Sequence, residues 1–278
     1  MKNILQAVLT AGLIFGCALT GYAGGPYGED KSKIIIEGST TVLPIAQVSA
    51  EFFMRQNPDV EVVVRGGGSG VGIASLIDKT CDIADSSRVI KDSELDKAAT
   101  GGVSPKAHVV AMDGIALIVN PANPVAGLKK KQLADIYTGN VSNWKQLGGK
   151  DEKIVVVSRD TSSGTFEAFS VLVLGGQKVR PDALMQASNQ AVSSIVSRTP
   201  GAIGYVGLGY INQEVKALDV EGVRPTKETV LADKYPVSRP LYMYTNGAPV
   251  NATRDFIEFV KSKEGQKIVD EQGFVALK

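Results

Sequence analysis

Three stretches of this chain share one local order: a short run of β-branched apolar residues, a turn rich in glycine, serine and threonine, then an amphipathic helical run. Lys33-Ile34-Ile35-Ile36 leads through Gly38-Ser39-Thr40-Thr41 into a helical pattern from Leu43 to Arg55. Glu61-Val62-Val63-Val64 leads through Gly66-Gly67-Gly68-Ser69-Gly70 into a helix carrying Ile73, Leu76 and Ile77. Ile154-Val155-Val156-Val157 leads through the stretch from Ser158 to Thr165 into a helix starting near Phe166. Continuous apolar strands alternating with helices fit a sheet covered on both faces, so the expected class is α/β with mostly parallel strands. The three units share a device rather than a sequence, and no true repeat is expected.

Each turn ends in hydroxyls and glycines at a helix start. The unpaired N–H groups of a first helical turn and the positive end of the helix dipole together favour an anion. Ser and Thr also cap helices, so one such turn alone reads as capping. Three in one open sheet share the crevice at the carboxyl ends of its strands, where they can converge. Arg159 stands at the end of the third strand, and its planar fork suits a tetrahedral oxyanion. Asp160, next in sequence, is expected to hold that guanidinium.

Charge and composition exclude several classes. Lys and Arg number 30 against 29 Asp and Glu, too balanced for a nucleic-acid binder. Two cysteines, Cys17 and Cys81, and one histidine, His108, leave no disulfide framework, Cys-rich zinc site or His-based triad. Cys81 reads as a small buried hydrophobe and His108 as a loop residue after Pro105. Tyr137 and Trp144 read as packing residues. Gly66–Gly70 lacks the Lys of a phosphate-binding P-loop, and Gly-x-Ser-x-Gly fails at Ser69 and Ser163. Ser142-Asn143-Trp144-Lys145 matches Ser-x-x-Lys without its companion motifs. No general base is evident, so the expected chemistry is binding without cofactor or metal.

Residues 1–23 carry Lys2, an apolar stretch and small residues before the tether at 24–32, as a secretory signal peptide does. The expected location is periplasmic, with Gly21-Tyr22-Ala23 as the cleavage site. A lipid anchor at Cys17 is the weaker alternative, because Phe15 is bulky for a lipobox. Gly114–Asn120 and Gly201–Gly207 read as crossovers between lobes. The expected division is 33–113 plus 207–278 for one lobe and 114–206 for the other, with one amphipathic helix from Thr253 to Val269.

A wider set of residues stands in a telling order. It comprises Gly38–Val42, Gly66–Gly70, Ser86-Ser87-Arg88, Asp113–Ala116, Arg159–Thr165, Thr199–Tyr205 and Ser238–Tyr242. Together they resemble the shorter phosphate-binding proteins of phosphate ABC transporters, over nearly all of the chain after the leader. The resemblance implies a type II periplasmic-binding-protein fold: two α/β lobes joined by two crossing strands, closing by a hinge on inorganic phosphate for delivery to membrane permease subunits. Carried over by position, the phosphate ligands are Ser39, Thr40, Thr41, Ser69, Ser87, Arg159, Ser163, Gly164 and Thr165. Longer family members have an Asp where Ser87 stands, to accept the phosphate proton. Asp113, Asp85 or the Ser87 oxygen are the candidates for that role here. A strict acceptor is left unpaired against fully deprotonated sulfate, which costs affinity in a dry cleft. The alternatives are an exported phosphohydrolase, or the same fold binding sulfate, molybdate or tungstate.

Overall fold

The β-branched runs form the strands that the alternation predicts. β1 (Ser32–Gly38) buries Ile34 and Ile36 and pairs in parallel with β2 (Val60–Gly66) and β3 (Ile83–Ser86). Helices α1 (Leu43–Gln56), α2 (Ser69–Ile77) and α3 (Asp92–Thr100) follow these strands. The computed structural model describes residues 32–278. The expected signal peptide at 1–23, Cys17 and most of the tether lie outside the described residues.

The second half repeats the arrangement. β4 (Pro105–Val119) is followed by the short β5 (Gly127–Leu128), α4 (Lys130–Thr138), β6 (Val155–Arg159), α5 (Gly164–Phe169), β7 (Leu184–Gln186), α6 (Asn189–Arg198) and β8 (Ala202–Gly207). The chain returns through β9 (Lys216–Ala217), β10 (Asp219–Val220), α7 (Lys227–Leu231) and β11 (Ser238–Asn246), then ends with α8 (Asn251–Lys261) and α9 (Lys263–Glu271). The main sheet runs β2-β1-β3-β11-β4-β8-β6-β7, with β9 also on β4. At its centre the long β4 and β11 lie antiparallel and join the parallel β2-β1-β3 group to the parallel β8-β6-β7 group. These are the two crossing strands.

One core cluster holds Ile34, Ile36, Val42, Phe53, Met243 and Phe256, and another holds Leu117, Tyr137, Trp144, Phe169 and Tyr205. Tyr137 and Trp144 are fully buried, and the Trp144 indole donates to the Gly201 carbonyl at 2.9 Å. Both pack, as expected. Cys81 is buried as well.

Three expectations give way to the structure. Leu208, Leu218, Val220, Val230 and Val237 pack into the second of those clusters, so the chain returns to the first lobe at β11 and not near 207. The glycine spacing at 201–207 belongs to β8, which lies inside the second group of strands. The C-terminal helix is two helices, because Ser262 is extended (φ −68°, ψ 168°) and its hydroxyl caps α9 by accepting from the Gly265 amide. His108 lies on β4 and not in a loop; its Nε2 is 2.8 Å from Thr245 Oγ1 on β11. Among the described residues, no helix is long and apolar enough to cross a membrane, and no three His, Cys, Asp or Glu side chains cluster as metal ligands.

Candidate functional site

The three hydroxyl-rich turns meet at the centre of the molecule. Gly38, at φ 141°, ends β1 in a conformation L side chains rarely adopt, and a Cβ there would stand 2.2 Å from the Asp85 carbonyl. That close approach lets the Ser39 amide donate to Asp85 O at 2.8 Å and turns the chain through Ser39, Thr40 and Thr41 into α1. The second turn contributes Ser69, the first residue of α2. The third runs from Arg159 to Thr165, where Ser163 caps α5 by accepting from the Phe166 amide.

Contacts between the turns close this ring. Thr41 Oγ1 lies 2.9 Å from Thr165 Oγ1, and Gly70 N donates to Ser162 O at 2.9 Å. Ser162 Oγ lies 3.2 Å from Gly67 O. Ser69 Oγ and Ser87 Oγ are 3.3 Å apart, and both border Gly164. Ser39, Thr40, Thr41, Ser69, Ser87, Arg159, Ser163 and Thr165 are all buried, as is Gly164. All nine residues carried over as ligands therefore stand together.

Arg159 is anchored differently from expectation. Its Nε donates to Gln186 O at 3.0 Å and its Nη2 to Ala187 O at 2.9 Å and Thr40 Oγ1 at 3.2 Å. Asp160 does not grip it; that carboxylate accepts from Ser162 N and Oγ instead. The carbonyls of Gln186, which ends β7, and of Ala187 meet the guanidinium. Nη1 of Arg159 is buried with no partner among the described residues. Burial, with Arg239 nearby, works against the Arg159 charge, while Asp160 at a distance favours it. A buried cation with one idle donor calls for an anion.

Arg239 is a second guanidinium at the site, on a strand with no hydroxyl-rich turn to signal it in the sequence. It stands directly opposite Asp113 in the β11–β4 register. Its Nε and Nη2 donate to Asp113 Oδ2 at 3.2 and 3.0 Å, Nη1 to Ser87 O at 2.9 Å, and Nη2 also to Thr165 Oγ1 at 2.9 Å. Asp113 Oδ1 accepts from Leu208 N at 2.9 Å. Burial raises the Asp113 carboxyl above its ordinary range, with Arg239 pulling the other way. The Asp113 oxygens are thus spent on the frame of the site. Asp85 is fully buried, and its carboxyl oxygens have no partner among the described residues. Burial without a cation holds that carboxyl well above the usual carboxylate range.

Asn189, at the start of α6, was also missed. It is buried; its Nδ2 donates to Thr40 Oγ1 at 3.2 Å and Thr41 Oγ1 at 3.0 Å, and its Oδ1 accepts from Gly207 N at 3.2 Å. No hydroxyl-rich turn surrounds it in sequence, so no local signal marks it.

These contacts fix where the hydroxyl protons point. Ser39 Oγ accepts from Thr41 N, Ser69 Oγ from Ser87 N, and Ser163 Oγ from Phe166 N. Thr40 Oγ1 accepts from Arg159 and Asn189, Thr41 Oγ1 from Asn189, and Thr165 Oγ1 from Arg239. A hydroxyl that accepts from a fixed N–H keeps its own proton to give. Ser87 differs: its hydroxyl has Ser69 Oγ as partner, and either atom can donate. Thr41 and Thr165 also share one hydrogen bond, in which either can donate, so the ring presents mostly donors, with the Ser87 hydroxyl able to accept.

Beside it, an ionic cluster links the two strand groups. Arg88 pairs with Glu94 through two 2.7 Å contacts and also with Glu167 on α5, to which Lys91 pairs as well.

Residues 25–264 match the model of the PBP superfamily domain. The chain is 36% identical over 255 residues to the phosphate-binding protein PstS of Bacillus subtilis, covering 89% of this chain and 82% of that one. It is 35% identical over 288 residues to PstS of Borreliella burgdorferi, covering 99% and 98%. The chain belongs to the PstS phosphate-binding protein family. Among solved structures, one from Clostridium perfringens, assigned as a phosphate ABC transporter substrate-binding protein and holding bound phosphate, is 37% identical. It matches with a TM-score of 0.83 over 89% of this chain and 100% of that one. An ABC-type phosphate transport receptor from Vibrio cholerae, also 37% identical, matches with a TM-score of 0.73 over 88% and 100%. These relatives are substrate-binding proteins, and their fold is the two-lobed type II periplasmic-binding architecture described above.

Gly164 gives the site a direct test. A Cβ there would lie 2.3 Å from Ser69 Oγ and 2.8 Å from Ser87 Oγ. Gly164→Ala therefore forces both hydroxyls aside, a strain of roughly 1–3 kcal/mol. It is expected to weaken phosphate binding about ten- to a hundredfold in calorimetry, and unchanged affinity would show that these hydroxyls do not face the ligand.

Proposed function

We propose that this protein captures inorganic phosphate outside the cytoplasm and delivers it to the permease of an ABC transporter, without turnover. The observation that carries this reading is the buried, unpartnered Nη1 of Arg159 within a ring of hydroxyls whose oxygens already accept from fixed N–H groups. Fixed dipoles and one guanidinium compensate a dianion without a net basic chain. The ligands are Ser39, Thr40, Thr41, Ser69, Ser87, Arg159, Ser163, Gly164 and Thr165. Arg239 and Asp113 serve as their frame.

Hydrogen phosphate retains a proton that needs an acceptor. Asp113 is engaged with Arg239 and Leu208, and the carboxyl oxygens of Asp85 make no hydrogen bond to a ligand residue, so the acceptor in this reading is the Ser87 oxygen. Closure is a hinge motion about β4 and β11, with phosphate selecting the closed form because both strand groups contribute ligands. The same site with sulfate, molybdate or tungstate as ligand is the second reading, because a hydroxyl, unlike a carboxylate, can also turn its proton toward an unprotonated oxygen.

Equilibrium dialysis with radiolabelled phosphate, run beside a phosphomonoester panel, tests the assignment. Saturable retention of phosphate with no release from any ester is expected. Ester hydrolysis by pure protein would make it a phosphohydrolase, and retention of tungstate but not phosphate would change the ligand.

A further inference from the structure

Asn189 lies outside the turns that supply the proposed ligands, yet it reaches two of their hydroxyls at once. Its orientation is dictated from the other side: Gly207 N–H is a donor only, so the atom facing it is the carbonyl oxygen Oδ1. Flipping the amide would set two donors against each other at Gly207. With Oδ1 pinned, both Nδ2 hydrogens point at the threonines, 3.2 Å from Thr40 Oγ1 and 3.0 Å from Thr41 Oγ1.

The consequence concerns protons. Thr40 Oγ1 already accepts from Arg159, so with Asn189 both of its lone pairs are used and its hydrogen has to be donated elsewhere. Thr41 Oγ1 has a hydroxyl neighbour at Thr165 and only a long 3.5 Å contact to Arg239. Without Asn189, its rotor has no strong fixed N–H donor to orient it. The amide also bridges the two strand groups, since α6 packs on β8 while Thr40 and Thr41 follow β1.

We infer that Asn189 is a positioning residue for oxyanion binding: its carboxamide, oriented by the Gly207 amide, sets the Thr40 and Thr41 hydroxyls as donors to the ligand. This rests on the phosphate-binding reading and adds to it a residue that need not touch phosphate.

A double-mutant cycle on the full chain tests it, with phosphate binding read by calorimetry and Tm recorded for each variant. Asn189→Ala is expected to weaken phosphate binding about tenfold, the effect of one buried hydrogen-bonded group. In the background of Thr40→Val with Thr41→Val, which keeps the shape and removes the hydroxyls, the same change is expected to cost less than about twofold. A packing role, exerted through Gly207 and α6, survives the valine background, so an equal loss in both backgrounds would overturn the inference. Asn189→Ser, which retains a single hydroxyl, guards against misfolding of the alanine variant; if folded, it is expected to show the same pattern of coupling. If the unsubstituted protein binds no phosphate, the functional reading falls and takes the inference with it. If it binds and the cycle is additive, only the inference falls.

Discussion

Arg159→Ala is expected to lower phosphate affinity by about a thousandfold or more. The side chain is buried, its Nη1 is idle, and its other donors are committed to Gln186 O, Ala187 O and Thr40 Oγ1. Those carbonyls hold the fork before any ligand arrives, so phosphate meets a cation whose ordering is already complete. Charge-assisted hydrogen bonds contribute about 1.5–3 kcal/mol each. Losing such a contact and the only cation without an ion-pair partner in the ring amounts to ~4 kcal/mol, which is the thousandfold figure. Arg159→Lys separates charge from geometry. A lysine ammonium keeps the charge but cannot reach the two carbonyls and the ligand together, so affinity is expected to fall by roughly ten- to a hundredfold. Calorimetry on both variants checks this, and near-native binding by the alanine variant would remove Arg159 from the site.

The second large effect is on stability. Asp113→Ala is expected to cost about 3–5 kcal/mol, because it leaves the buried Arg239 guanidinium without its counter-ion and Leu208 N–H without its acceptor. For a chain of this size that is a fall in Tm of roughly 10 °C. The double variant Asp113→Ala with Arg239→Ala is expected to cost less than the two single losses together, since neither charge is then stranded. Urea denaturation of the three variants measures the coupling. Full additivity would mean that the two side chains act independently despite their 3.0 Å contact. Phosphate affinity is expected to fall as well in Asp113→Ala, because Arg239 also fixes Thr165 Oγ1 and the Ser87 carbonyl.

What could be read in advance follows from where each signal lies. The strand–turn–helix units are local, so their apolar runs, hydroxyls and glycines sit within a dozen residues and report directly on the crevice they build. Arg159 was legible for the same reason, at the end of an apolar strand that continues into a hydroxyl-rich turn. The resemblance to phosphate-binding proteins then supplied the ligand identity, which the turns alone leave open among oxyanions.

Non-local pairings were not legible. Arg239 and Asp113 are 126 positions apart and meet only through the β11–β4 register. Asn189 reaches Thr40 and Thr41 across nearly 150 positions, and a lone Asn at a helix start reads as an ordinary capping residue. Asp160 misled for the opposite reason: adjacency in sequence suggested contact, but Asp160 lies past the end of β6 and its carboxylate turns back to Ser162. The return at β11 was missed because the glycines at 201–207 resemble a linker. At Ser262 the amphipathic pattern continues across the break between α8 and α9, so periodicity alone does not reveal it.

The central claim is that an inward-facing set of donors with one accepting hydroxyl holds phosphate. Calorimetric titration of the intact protein with phosphate at pH 8, repeated in excess sulfate, tests it most directly. The prediction is saturable one-to-one binding, with sulfate competing about tenfold more weakly, because Ser87 can meet it only by turning its own proton away from Ser69 Oγ. No saturable heat with phosphate, or displacement by sulfate at equal concentration, would contradict it.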